Sequence, residues 1–385
     1  MINSQRVFID CIKKKVFDFY SPFISGNIIL YGASTYGKML YGLFGEFGWK
    51  DYIISYCDGN EKLDGTFVNN VPVKKLDTLI NEYPGATYII ASNHIEAIQK
   101  RLNENGLKSV YSSGLVRFLE RQYADIIYNA PDDNIIYCWK WLEWFEKRGR
   151  ENAFNQIMSE LEELFDDERS KQILQERIAF FLTGDTSHIE NTPIDSPAYF
   201  CEGIYQISED EVLMDCGAFT GDTLLDFTRR TKLSYKKVLS FEPDPMNYSI
   251  TLSTINKHKW KDIILINAAV GEENGYSFFD ASGTDGSRLC PAGDAKVKVV
   301  KLDDYFGERP TLIKMDVEGA EMAALKGAEE IITKLKPKLA ICLDHKCFDF
   351  LDIPKYIHQL VPEYKLKVRH HTDVLYDTVL YAYIE

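Results

Sequence analysis

Apolar and polar positions along this chain fall into three successive patterns. Between Ser25 and Gly114, short apolar runs ("NIILYGA", "YIISYCD", "ATYIIASN", "KSVYSSG") are separated by helix-length stretches. Strands spaced in this way predict parallel βαβ units, so residues 25–114 are expected to form a small Rossmann-like α/β domain. From Leu115 the strand signals stop. "YCWKWLEWFEKRG" and "ERSKQILQERIAFFLTGD" instead carry apolar residues at i, i+3 and i+4, which predicts a helical connector over residues 115–194. Residues 1–24 ("MINSQRVFIDCIKKKVFDFY" and the four that follow) are amphipathic and read as an N-terminal helix.

Strand runs return after Asp195: "EVLMDCG", "KVLSFEP", "IILINAAVG", "TLIKMDV" and "KLAICLD". The last two, "YKLKVRHH" and "TVLYAYIE", are joined by a short turn-rich loop and predict an antiparallel edge hairpin. Residues 195–385 are therefore expected to form a doubly wound α/β domain, binding its ligand outside the C-terminal strand ends. Trp139, Trp141 and Trp144 sit at helical spacing, which favours a core role over a sugar-stacking site.

Composition narrows the function classes. The 385 residues are 45% hydrophobic and 26% charged, as in a globular protein. Their apolar runs fall far short of the ~20 residues that span a bilayer. A net charge of −14 leaves no excess of Lys and Arg for general nucleic-acid binding. The eight cysteines include no CxxC pair, Cys342 and Cys347 being the nearest two. With an N-terminus unlike a secretory signal, they read as reduced thiols of a cytoplasmic protein.

"VLMDCGAFTGDTLLDF" is a strand, a glycine turn and a helix. Gly217 and Gly221 let the backbone turn sharply and approach a ligand closely. Asp215 and Asp222 flank that turn and would repel a pyrophosphate settling at the helix start. A sulfonium and an ammonium would be attracted instead, which favours S-adenosylmethionine over a dinucleotide. "VLSFEPDP" adds Glu242, twenty-five positions beyond Gly217 (242 minus 217), an offset that suits an acid reading ribose hydroxyls.

"DCGAFTGDT", "FEPDPMN", "IKMDVEGAE", "LKGAEEIITKLKPKLAICLDH" and "YKLKVRHH" together resemble the FkbM family of S-adenosylmethionine-dependent methyltransferases over Asp195 to Ile384. The resemblance implies a class I methyltransferase-type sheet and O-methylation of a hydroxyl, often on a sugar or polyketide. It also implies that Asp215, Gly217, Gly221 and Glu242 hold the cofactor, and that Asn267 and Ala268 border the adenine; Ala218 and Asp222, in the same turn, are counted as cofactor-binding with them.

"LIKMDVEGAE" sets Asp316, Glu318 and Glu321 around one glycine at a strand end. Asp316 is expected beside both cofactor and acceptor, and Glu321 reads as an acid favoured by the helix dipole. O-methylation needs alignment of donor and acceptor and removal of the hydroxyl proton. Asp316, Glu318 and His345, the last in "CLDHK", are the candidate catalytic residues. A competing account places Mg²⁺ on Asp316, Glu318 and Asp344; no residue spacing demands it, so no metal site is assigned. His370 and His371 should face opposite ways, with one reaching the pocket rim. The loop "DASGTDGSRLCPAGDA" reads as a cover in which Asp285 and Ser287 could touch ligand.

"NIILYGASTYGKML" is a second strand–turn–helix without acids. Gly32, Gly37 and Lys38, with Ser34 and Thr35, suit a phosphate, and Asp58 could take a ribose. The middle glycine of GxGxxG is missing. Two other readings of the chain remain: a nucleotide-sugar oxidoreductase or epimerase centred on this loop, and a non-catalytic nucleotide-sensing module.

Overall fold

The computed structural model describes residues 26–46, 49–92, 95–107, 110–112, 150–183, 187–195, 197–280, 288–289, 295–346, 349–372 and 376–385. The N-terminal helix over 1–24, the tryptophans of the connector, Asp285, Ser287 and Cys347 lie outside the described residues. Two compact units are formed, Met1–Phe154 with Ala179–Glu190, and Asn155–Ile178 with Asn191–Glu385. Among the described residues no helix is long and apolar enough to cross a membrane.

The first unit contains β1 (Ile28–Tyr31), α1 (Thr35–Glu46), β2 (Ile53–Cys57), β3 (Phe67–Val68), β4 (Val71–Lys74), α2 (Leu76–Glu82), β5 (Thr87–Ile90), α3 (Ile95–Glu104) and β6 (Val110–Ser112). Its sheet runs β3-β4-β2-β1-β5-β6, parallel throughout except for the β3–β4 pair. The Rossmann-like expectation therefore holds in plan. β3 and β4 were not foreseen, although "FVNNVPV" carries their signal. Asn69 and Asn70 have φ of 52° and 62°, the left-handed pair that a tight hairpin requires and that Asn tolerates. Ile29, Tyr31, Cys57, Leu76, Tyr88 and Ile90 form the buried core.

Of the connector helices, most of α4 (Arg150–Glu162) and of α5 (Glu168–Thr183) belongs to the second unit, while the short α6 (Ser187–Glu190) belongs to the first. The α/β part follows as β7 (Val212–Cys216), α7 (Asp222–Arg230), β8 (Lys237–Phe241), α8 (Pro245–His258) and β9 (Ile263–Ile266). Next come β10 (Ala269–Val270), β11 (Gly275–Asp280), β12 (Arg288–Leu289), β13 (Ala295–Val300), β14 (Leu312–Met315), α9 (Glu321–Lys326) and α10 (Glu329–Leu335). The chain ends in β15 (Lys338–Cys342), α11 (Asp349–Leu360), β16 (Lys365–His370) and β17 (Thr378–Tyr383).

The main sheet runs β16-β17-β15-β14-β7-β8-β9. β15, β14, β7, β8 and β9 are mutually parallel, and β17 is antiparallel to both β15 and β16. This is the doubly wound sheet with an edge hairpin expected of a class I methyltransferase-type fold. Every residue of β7, β14 and β17 is buried, because helices cover both faces of such a sheet. At the β16 edge, Phe165 and Ile194 form isolated parallel bridges to Leu366 and His370. Ser170 at the start of α5 accepts from Val368 N at 2.8 Å.

One expected strand is really two. "IILINAAVG" leaves the main sheet after Ile266, and Ala269–Val270 pairs instead with β13. That starts a separate sheet of order β10-β13-β11-β12. Side chains as small as Ala268 and Ala269 permit the crossing, and Ala268 N closes it on Ile266 O at 3.0 Å. α8 begins as "PDPMN" dictates: Asp244 accepts from Met246 N and Asn247 N, and Pro245 occupies the first helical turn.

Candidate active site

The loop after β7 turns on Gly217 and Gly221, with φ of +85° and +86°. A Cβ on Gly217 would stand 1.9 Å from the Asp316 carbonyl oxygen, so only glycine lets the β7 and β14 ends approach this closely. Gly217 N and Ala218 N both donate to Phe241 O at 3.0 Å, folding the loop across the end of β8. Phe219 N then donates to Glu242 Oε2 at 2.7 Å.

At these strand ends lies a cavity of about 390 Å³, walled by residues that include Tyr199, Gly217, Asp222, Phe241, Glu242, Ala268, Phe279, Lys314, Asp316, Glu318 and Asp377. Five of these are carboxylates. The one ammonium among them, Lys314, is 3.5 Å from Asp215 Oδ1 and donates to Gly217 O at 2.6 Å. Its Nζ also lies 5.0 Å over the Tyr199 ring. The lysine's charge is thus neutralised from behind, and the wall facing the cavity is acidic.

The candidate cofactor residues separate accordingly. Gly217, Asp222, Glu242, Ala268 and Asp316 line the cavity, whereas Asp215, Ala218, Gly221 and Asn267 are not among its lining residues. Asp215 is fully buried, accepting from Ser240 Oγ at 2.8 Å and paired with Lys314. Burial nevertheless raises its pKa, against the pull of Lys314 and Ser240. Asn267 gives its side-chain amide to Glu242 O at 2.9 Å and Pro243 O at 3.3 Å. Glu242 also accepts from Asp244 N at 2.9 Å, and burial lifts its pKa to about 7.

Asp316 and Glu318 stand on the opposite wall. Asp316 Oδ2 accepts from Tyr199 OH at 2.6 Å. His345 Nε2 is 3.4 Å from Asp316 Oδ1 and 3.4 Å from Glu318 Oε1. His345 is 4% exposed and lies behind these two carboxylates, not among the lining residues. Its Nδ1 is 2.6 Å from Glu321 Oε1, the same oxygen that accepts from Val317 N at 3.0 Å. Glu321 is fully buried. Although burial alone would raise its pKa, His345 and these hydrogen bonds bring it below the usual carboxylate range. Four non-glycine residues of the cavity lining have left-handed backbone, Tyr199 at φ +57°, Phe219 at +47°, Glu318 at +54° and Asp377 at +65°. Strain of this kind gathers at functional sites. Asp377 is raised to about 6 by burial and then by Asp344 and Asp316.

The all-oxygen magnesium set is not assembled. Asp344 accepts from Thr378 N and Asp377 N at 3.2 and 3.1 Å and from the Cys342 thiol at 2.8 Å, so its carboxylate is spent on the β17 approach. Asp316, Cys342 and His345 do bring one donor atom each within 4.8 Å of one another. Burial holds the Cys342 thiol protonated, however, which opposes thiolate ligation. Neither His370 nor His371 reaches the cavity. His370 Nδ1 is 2.8 Å from Thr378 Oγ1, and His371 bridges Asp195 O and Tyr381 OH at 2.7 and 2.8 Å.

Sequence reasoning passed over Lys314 and Tyr199. Lys314 was legible as a charge inside an apolar strand ("LIKMD"). Tyr199 carried no comparable signal.

In the first unit, Gly32 has φ +128° and a Cβ there would meet Ala91 O at 2.3 Å. A Cβ on Gly37 would meet Gly32 O at 1.9 Å. Asp58 Oδ2 accepts from Ala33 N and Oδ1 from Asn60 N, both at 2.8 Å. The Lys38 side chain is exposed.

Comparison with known proteins bears on the family and the fold. Residues 215–364 match the family described as the methyltransferase FkbM domain. Methyltransferase 1 of Beauveria bassiana (strain ARSEF 2860) is 23% identical over 159 residues, covering 34% of this chain. That match spans 63% of the relative's own length, under two thirds. The crystal structure of methyltransferase FkbM from Methylobacillus flagellatus KT superposes with a TM-score of 0.66 at 22% identity. It covers 100% of this chain and 99% of that one, which establishes a shared fold.

Proposed function

We propose, on the premise that residues 215–364 form a methyltransferase FkbM domain, that this chain is an S-adenosylmethionine-dependent O-methyltransferase acting on a hydroxyl of a sugar or glycan precursor. The observation that carries the reading is the acidic wall of the cavity, whose lysine is already engaged by Asp215. Such a lining suits a sulfonium and an ammonium and repels a diphosphate. The sugar is the acceptor class that the family resemblance implies. Buried free thiols at Cys57, Cys201, Cys216 and Cys342 support a reducing, cytoplasmic setting.

In this reading Glu242 takes the ribose hydroxyls on the acceptor sites left beside its two backbone hydrogen bonds. Ala268 and Phe241 border the base, and Asp222 and Asp316 face the methionine end. When bound, S-adenosylmethionine supplies a sulfonium methyl, whose carbon–sulfur bond gives its electron pair back to sulfur as the acceptor oxygen bonds to the carbon. The chain's own work is alignment and proton handling. Asp316 and Glu318, on the wall, orient the hydroxyl and receive its proton, and His345 backs them. Tyr199, held by Asp316, closes the side of the cavity.

The test has two arms. Calorimetry should show binding of S-adenosylmethionine and none of NAD. Incubation with methyl-deuterated S-adenosylmethionine and a panel of glycans should label a hydroxyl, read by mass spectrometry. Binding of NAD alone would overturn the reading.

A further inference from the structure

We propose that His345 is a buried imidazolium strut, held by Glu321, which fixes Asp316 and Glu318 on the cavity wall, so that Asp316 and not the histidine receives the acceptor's proton. This rests on the methyltransferase reading of the same cavity and assigns roles within it.

Three carboxylates contact one ring, and the buried Asp344 and half-buried Asp377 also act on it electrostatically. Glu321 Oε1 lies 2.6 Å from Nδ1, and Asp316 Oδ1 and Glu318 Oε1 lie 3.4 Å from Nε2. An ionised carboxylate can only accept hydrogen bonds. Glu321 is fully buried and its Oε1 already accepts from Val317 N, so the proton on this contact belongs to Nδ1. A neutral ring would then turn the Nε2 lone pair toward two further carboxylates, a repulsive arrangement for a ring that is 4% exposed. A proton on Nε2 turns both contacts into attractions, and the ring then offsets one of the three negative charges. Removing one partner from a buried pair of this kind leaves an uncompensated charge.

The histidine's place supports the same division of labour. It lies behind the wall, whereas the Asp316 side chain is 28% exposed and lines the cavity. Glu321 ties two elements through one oxygen: the Val317–Gly319 turn, which holds Glu318 at φ +54°, and the β15 end that carries His345. The acceptor O–H therefore breaks toward Asp316, whose Oδ2 is steadied by the Tyr199 hydroxyl. Proton and charge balance without another reactant: the neutral acceptor loses a proton to the carboxylate as its oxygen gains the methyl.

Ring-nitrogen NMR on ¹⁵N-histidine-labelled full-length protein tests this directly, with His345→Gln used to assign the signals. Wild type, free and with S-adenosylhomocysteine, should show both His345 ring nitrogens protonated at neutral pH. Glu321→Gln should lose one of the two N–H signals, and Glu321→Asp should retain both. A wild-type spectrum with a single protonated nitrogen overturns the proposal. So does a second signal that appears only after chelator treatment, which would put a metal ion where the proton belongs. The spectrum of the free protein needs no turnover, so failure to methylate any glycan and failure of this assignment are separable.

Discussion

Lys314→Met is the sharpest test of how the site is held together. The lysine is buried to 2% side-chain exposure against a fully buried Asp215, 3.5 Å away. It also donates to Gly217 O at 2.6 Å, pinning the glycine turn. Methionine keeps most of the volume but leaves Asp215 with Ser240 and without its lysine partner. Breaking a buried pair by removing one partner costs about 3–5 kcal/mol. For a unit of this size each kcal/mol moves the melting temperature by about 2–4 °C, so the transition should fall by about 6–20 °C.

The pH dependence follows from Asp215. Burial already raises its pKa above the unfolded 3.8, and Lys314 is the largest force lowering it. Without the lysine the folded pKa climbs further above the unfolded one. The folded state then binds the extra proton, and stability falls as pH rises from the unfolded pKa toward the folded one. The deficit should therefore be larger at pH 8 than at pH 5.5 in thermal melts followed by circular dichroism. Adding Asp215→Asn to Lys314→Met should recover most of the loss, because the uncompensated charge is gone. A single variant melting within about 2 °C of wild type at pH 8 would refute the pairing and the acid-wall argument built on it.

Three further outcomes are expected. Glu242 has a folded pKa of about 7 against 4.5 unfolded, so the ligand-free protein should lose stability as pH rises from 4.5 to 7; Glu242→Gln should flatten that slope in pH-stepped melts and weaken S-adenosylmethionine binding at least tenfold by calorimetry. Gly217→Ala forces a Cβ to 1.9 Å from a backbone oxygen at φ +85°, and should lower the melting temperature and abolish cofactor binding, with soluble but loop-distorted protein as the checkable state. Glu318→Gly relieves a left-handed backbone worth about 1 kcal/mol, so it should raise thermal stability slightly while lowering methyl transfer at least tenfold; a fall in both would show that the strain is not what the site maintains.

Which parts of this molecule could be read from its sequence follows from the kind of interaction involved. The parallel sheets were legible because buried strands such as "VLMDC" and "TLIKM" are locally apolar and are followed by turn residues. The β3–β4 hairpin was not foreseen, although its Asn-Asn pair is a local signal. The small sheet of β10 to β13 was not legible, because the break at Asn267–Ala268 depends on pairing with a strand about thirty residues away.

The acids show the same limit more sharply. Asp215 and Glu242 stood out as charges at strand ends, which invite a ligand, and Glu321 as an acid favoured by a helix dipole. In the fold each is first a structural acceptor. Asp215 serves Lys314 and Ser240, Glu242 serves Phe219 N and Asp244 N, and Glu321 serves Val317 N and His345. Asp58 in the first unit repeats the Glu242 device, one oxygen on the glycine loop and the other two residues onward. An acid twenty-odd positions beyond a glycine turn is therefore needed to brace the turn whether or not a ribose ever arrives. What separates Glu242 from a mere brace is the cavity beside it and the burial that raises its pKa. Both come from side chains brought together by the fold, such as Phe241, Ala268 and Phe279, and not from the spacing of the motif.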